Sequence, residues 1–120
     1  MQTNTDLTLY SRYIEGGLEK WTRTVIDNVH WENRKAANVI TSGLIDANAV
    51  DVYIPLHGRA ETVTIKPGDV IAEGIVTKTI NTEYTMTDLR KAYSDVVTVK
   101  SVDRYDFGSP KMRHIHIGAS

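Results

Sequence analysis

The chain has no cysteine among its 120 residues. Disulfide frameworks and thiolate metal sites are therefore excluded, and the composition suits a reducing cytoplasm. No stretch approaches the roughly 18 consecutive apolar residues that would span a membrane. The first residues, Met1 to Asp6, are polar and lack the basic start and apolar run of a secretory signal. An excess of one charge is missing as well: 14 basic and 15 acidic side chains leave a formal net charge of -1. That balance gives no global attraction to nucleic acid or to an anionic membrane. There is no phosphate-cradling glycine motif, no internal repeat and no low-complexity segment.

What is present is β patterning on a chain of one-domain length. At 41% hydrophobic and 24% charged, the composition is that of an ordinary globular domain able to bury a single core. The stretch Trp21 to Arg34 organises the rest. Counting by twos gives Trp21, Arg23, Val25, Asp27, Val29 and Trp31 on one face, against Thr22, Thr24, Ile26, Asn28, His30, Glu32 and Arg34. This reads as one long antiparallel strand with both tryptophans on the core face and a bend or bulge at Asp27-Asn28. A tight hairpin turn at the same pair is the competing reading.

Leu7, Leu9 and Tyr13 alternate with Thr8, Tyr10 and Arg12 in a first strand, and Glu15-Gly16-Gly17 supplies a hairpin turn. Val50 to Leu56 alternates cleanly and should end, or lie at an edge, at Pro55. A short strand is expected at Val63 to Ile65, and Lys66-Pro67-Gly68-Asp69 has the chemistry of a type II turn. Val70 to Thr77 reads as a central strand with a bulge or close approach at Gly74. Val96 to Val102 places Val97, Val99 and Ser101 opposite Val96, Thr98 and Val102. After a loop over Asp103 to Pro110, Lys111 to Ile117 sets Met112, His114 and His116 opposite Arg113, Ile115 and Ile117. Thr85-Met86-Thr87-Asp88 is a capping box that opens a helix of about two turns near residues 86–93. These signals predict a mainly β fold: a small β-barrel or rolled β-sandwich of about eight antiparallel strands with one short helix. The single domain, 1–120, carries a long loop at about 35–48, whose apolar Val39, Ile40, Leu44 and Ile45 suit either a short helix or hairpin folded onto the core or a surface that finds its partner in an assembly.

Candidates for chemistry are thin. His114 and His116 share a strand face, a spacing that metal sites use, but a third ligand such as His30, Glu32 or Asp106 cannot be placed beside them from sequence. Ser109 in Gly-Ser-Pro lacks a strand-to-helix elbow, and Asp103 with Asp106 reads as turn-forming charge. Lys111, Arg113, His114 and His116 could touch DNA or a partner, without the interleaved aromatics of a single-strand binder. No catalytic, cofactor-binding or metal residue is assigned, and the chain does not read as an enzyme.

Leu9-Tyr10, Lys20-Trp21-Thr22-Arg23-Thr24-Val25 and Val29-His30-Trp31-Glu32 resemble small structural proteins of tailed-phage head-to-tail gene blocks. So do Val52-Tyr53-Ile54-Pro55, Gly68-Asp69-Val70-Ile71, Ser101-Val102-Asp103 and Gly108-Ser109-Pro110. The likeness extends over nearly the whole chain and is greatest to prophage neck proteins of the head-closure (stopper) and head-tail joining kind. It implies a small β-barrel assembled as a homo-oligomeric ring in the virion neck, formed in the host cytoplasm. A portal or connector protein would lie above and a tail or tail-terminator protein below, with packaged DNA near only because it fills the lumen. The implied role is to retain DNA and dock the tail. By the same resemblance a gating or subunit-contact loop is expected at Lys35, Asn38, Val39, Ile40, Leu44, Ile45 and Asn48. A tail terminator or other neck protein is the nearest alternative, followed by a nucleic-acid-binding or metal-binding barrel.

Overall fold

The structure, a computed structural model, describes residues 3–33, 49–56, 63–93, 95–105 and 113–120. The expected loop at 35–48, the turn at 57–60 and the segment 106–112 lie outside the described residues. Six strands are described: β1 (Thr5–Glu15), β2 (Leu18–Asn33), β3 (Val50–Pro55), β4 (Val70–Glu73), β5 (Val96–Tyr105) and β6 (His114–Ala119). Every pairing is antiparallel, and the order β1-β2-β3-β6-β5-β4 closes on itself as a barrel. Closure removes free edges wherever the ring is complete. The fold is mainly β, as the sequence predicts, with one short helix among the described residues, α1 (Met86–Ala92).

Two apolar layers hold it together. Inside the barrel, Leu7, Leu9, Ile26, Val29, Trp31, Val52, Ile54, Ile71, Val97, Val99, Ile115 and Ile117 form the main core. On the outer face of β1, β4 and β5 a second cluster packs Tyr10, Val70, Ala72, Val76 and Val96 against Leu89 of α1. The capping box at Thr85 and Asp88 is fully formed, and the Tyr93 amide closes the last turn on the Leu89 carbonyl at 3.0 Å. Seven residues cannot hold a helix alone. Complete burial of Leu89, worth about 2 kcal/mol, is what retains this one.

The long strand β2 departs from the sequence reading in one respect. Residues Thr5 and Leu7 of β1 face Val29 and Ile26 of β2, so β2 carries one extra residue there. Asn28 takes φ of 58°, the left-handed conformation that Asn tolerates, and its amide donates to Asp6 Oδ1 at 3.0 Å. The bulge forms where expected, but the alternation does not continue through it. Residues paired across antiparallel strands share a face. Arg23 and Trp21, opposite Tyr10 and Arg12, lie on the outer face, whereas Val29 and Trp31 fall inside with Ile26. The two tryptophans thus belong to opposite sides of the sheet.

A second shift, between Val99 and Ser101 of β5, turns Ser101 outward and brings Val102 against the inner core, the reverse of the simple alternation. The strand expected over Val70 to Thr77 ends at Glu73, because Gly74 takes φ of 83° and turns the chain away. Nothing lies within 4 Å of a Cβ built on Gly74, so conformation, not close approach, calls for glycine. The fully buried Thr8 hydroxyl donates to the Gly74 carbonyl and accepts from the Val76 amide, both at 2.8 Å. That hydroxyl takes over the hydrogen bonds a ladder would have supplied. Val63 and Ile65 form no strand: they reach the barrel core from an irregular stretch whose last amide, at Lys66, bonds the Asp69 carboxylate. The turn Lys66 to Asp69 forms as expected, with Gly68 at φ 99° and the Asp69 amide on the Lys66 carbonyl. Asp103 and Tyr105, read as loop, extend β5 because they pair with His116 and His114.

Candidate interaction surfaces

Two outer surfaces collect the side chains that could meet a partner. The first covers β2, β3, β6 and β5. Register places His30 beside Tyr53, Tyr53 beside His116, and His116 beside Asp103, while His114 neighbours Tyr105. The Tyr53 ring stacks on His116 with centroids 4.7 Å apart and planes 7° from parallel. Tyr105 stacks on His114 at 4.9 Å. His116 Nε2 lies 3.0 Å from Asp51 Oδ1, and His30 Nε2 lies 3.6 Å from Glu32 Oε2.

His114 and His116 therefore share one face, as their spacing indicates, and of the third ligands considered His30 and Glu32 do not complete a metal-binding group with them. Among the described residues no group of three or more His, Asp or Glu side chains could hold a metal ion. Tyr53 separates His30 from the other two imidazoles. Asp106 lies outside the described residues, as does Ser109. Of the group Lys111, Arg113, His114 and His116, Lys111 lies outside the described residues, Arg113 precedes β6 with its carbonyl accepting from Leu56 N at 3.1 Å, and His114 and His116 share a face of β6. The aromatics that the linear pattern lacked do arrive, as Tyr53 and Tyr105. They come from other strands, and their rings are spent on the histidines.

The second surface is the end of the β1–β2 hairpin. Gly16 and Gly17 take φ of 61° and 79°, the pair of positive values that a two-residue type I′ turn requires. The strand β4 stops pairing at Tyr10, and β3 joins β2 only from His30 onward. Among the described strands, nothing lies beside Ser11 to Glu15 or Leu18 to Thr22 except each other. The ribbon projects from the barrel with Tyr13, Ile14 and Leu18 at 41%, 58% and 65% exposure. Cross-strand ion pairs, Arg12–Glu19 at 2.7 Å and Lys20–Glu15 at 3.0 Å, neutralise its charges. Glu15 accordingly holds the Lys20 ammonium above its ordinary pKa.

At its base the ribbon is anchored by Asp69, a fully buried carboxylate that accepts from the Arg12 amide at 3.2 Å and the Lys66 amide at 3.1 Å. Beside it runs a groove of about 770 Å³ between the hairpin and α1. Tyr13, Leu18, Trp21, Ile80 and Met86 supply its apolar lining, completed by Glu19, Lys20, Asn81 and four threonines. Thr79, Ile80, Asn81 and Thr82 belong to its lining, and the chain from Gly74 leads into them. That chain is pinned by the Tyr10 hydroxyl donating to the Lys78 carbonyl at 2.7 Å and by Arg23 Nε donating to the Val76 carbonyl. Burial raises the Tyr10 phenol above its usual pKa, against a smaller opposing effect of Arg23.

A family profile, that of a family of unknown function called DUF6751, matches residues 2–120. The chain belongs to that family. No curated protein and no solved structure matches it. For this DUF6751 member the candidate surfaces accordingly rest on geometry alone. Sequence reasoning missed the hairpin tip as a surface, although its signal was legible: Ile14 and Leu18 flank the Gly-Gly turn, where a solvent-facing hairpin end would carry polar residues.

Proposed function

We propose that this chain is a structural protein of the tailed-phage head-to-tail interface, a subunit of a head-closure ring that retains packaged DNA and docks the tail. The observation that carries the reading is a closed barrel from which one apolar-tipped hairpin projects. A ring subunit needs a body that presents no spare sheet edge and an arm that reaches its neighbour. The near-neutral charge is compatible with DNA that is held in storage and passes freely at ejection. Mixing purified protein with its portal-connector complex and reading the mass by light scattering tests the role. Several copies should join each connector; a chain that ignores the connector would end the proposal. A tail terminator shares these requirements, and binding to tail tube in place of connector would select it.

A further inference from the structure

We infer that a second copy of this chain docks on the hairpin surface, with Ile14 of one copy seated in the groove between hairpin and α1 of the next. The inference deepens the ring reading by naming its contact. Three observations lead to a copy of the same chain as the occupant. The hairpin's exposed apolar side chains lie at its tip, next to an apolar groove, so knob and socket are both present on one molecule. The tip cannot fill its own socket, because Tyr13 and Leu18 already form that socket's wall while Ile14 stands outside it. The charges of the ribbon cancel within it: two basic and two acidic side chains form Arg12–Glu19 and Lys20–Glu15. A polyanion or a basic segment finds no net attraction there, whereas an identical ribbon meets no excess of like charge.

The backbone agrees. A two-stranded ribbon without further strands is marginal in water, and a neighbour against its flank would supply the missing packing. Because the knob and the groove are different patches, the contact is head-to-tail and propagates to a ring if the rotation between copies closes.

Light scattering over a concentration series tests this with four samples: wild type, Ile14→Glu, Thr82→Arg in the groove lining, and the two variants mixed in equal amounts. The mass of wild type should rise above the single-chain 13.4 kDa. Each variant alone should stay at the single-chain mass. The mixture should double in mass and stop, since each pair then keeps only one intact knob seated in one intact groove. Far-UV circular dichroism checks that both variants fold, and Ile14→Thr replaces Ile14→Glu if the latter does not. Wild type monomeric at every concentration, a folded variant with wild-type mass, or a mixture that stays monomeric would each overturn the inference. Self-association without connector binding would preserve it and end the neck role. Full connector binding by Ile14→Glu would do the opposite.

Discussion

Replacing Asp69 by alanine should be among the most damaging single changes available on the described surface-to-core boundary. The side chain has no exposure, yet it is charged and sits in a turn. Its two oxygens accept from the Arg12 and Lys66 amides, and Oδ1 also receives the Lys66 ammonium at 2.9 Å. Alanine would leave two partly buried backbone N–H groups without an acceptor, at about 1–3 kcal/mol each. Because both are only partly buried, the lower half applies, and we expect a loss of about 2–4 kcal/mol. For a domain stabilised by about 5–15 kcal/mol that is a large fraction. Asparagine keeps one oxygen and should lose about half as much. The ammonium contributes little, since the Lys66 side chain is 53% exposed. Lys66→Met should therefore cost less than about 1 kcal/mol. Urea denaturation would read these as a graded fall in midpoint at constant m, ordered wild type, Lys66→Met, Asp69→Asn, Asp69→Ala. Asp69→Ala within about 0.5 kcal/mol of wild type would refute the argument that this carboxylate anchors the base of the ribbon.

Two further perturbations probe other parts of the fold. Asn28→Gly should change stability by only a few tenths of a kcal/mol, while Asn28→Val should cost about 1–2 kcal/mol because valine resists positive φ; thermal melts that rank the two alike would contradict the bulge. Burial, aided by the charge of Asp95, raises the pKa of Glu73 above the usual glutamate range. A raised carboxyl destabilises the folded chain only where it must ionise, so the penalty is absent in acid and fully present once pH passes the folded value. Glu73→Gln should therefore melt higher than wild type at neutral pH, by less than about 1 kcal/mol, and equal to it below the ordinary glutamate range. An equal gain at both pH values would show that the effect is not electrostatic.

Local chemistry was the readable part of the sequence. The capping box at Thr85 and Asp88, the Pro67-Gly68 turn, the Gly16-Gly17 hairpin and the alternation of Val50 to Leu56 each depend on neighbours within a few residues. All of them form. What escaped was anything decided between strands. The face of Trp21 relative to Trp31 depends on one inserted residue opposite Asp6, and the face of Ser101 depends on a shift against β6. The hydrogen bonds that receive the chain after β4 ends come from a hydroxyl 66 residues away in sequence, Thr8 on Gly74. The stacking of Tyr53 on His116 and of Tyr105 on His114 likewise needs the register of three strands. Pattern counting has no access to register, so it identified His114 and His116 but not their neighbours.

The bulge in β2 also decides where this chain can change length. Deleting Asn28 would remove the extra residue opposite Asp6 and leave Ile26, Val29 and Trp31 on the inner face by simple alternation, so the strand keeps its frame toward the core. At the other end of β2, length changes keep their frame only in matched pairs. Adding one residue to each side of the Gly16-Gly17 turn leaves every frame toward the barrel intact and extends the arm by about 3.4 Å. Across relatives, arm length can therefore drift in matched steps to suit neighbours of different size.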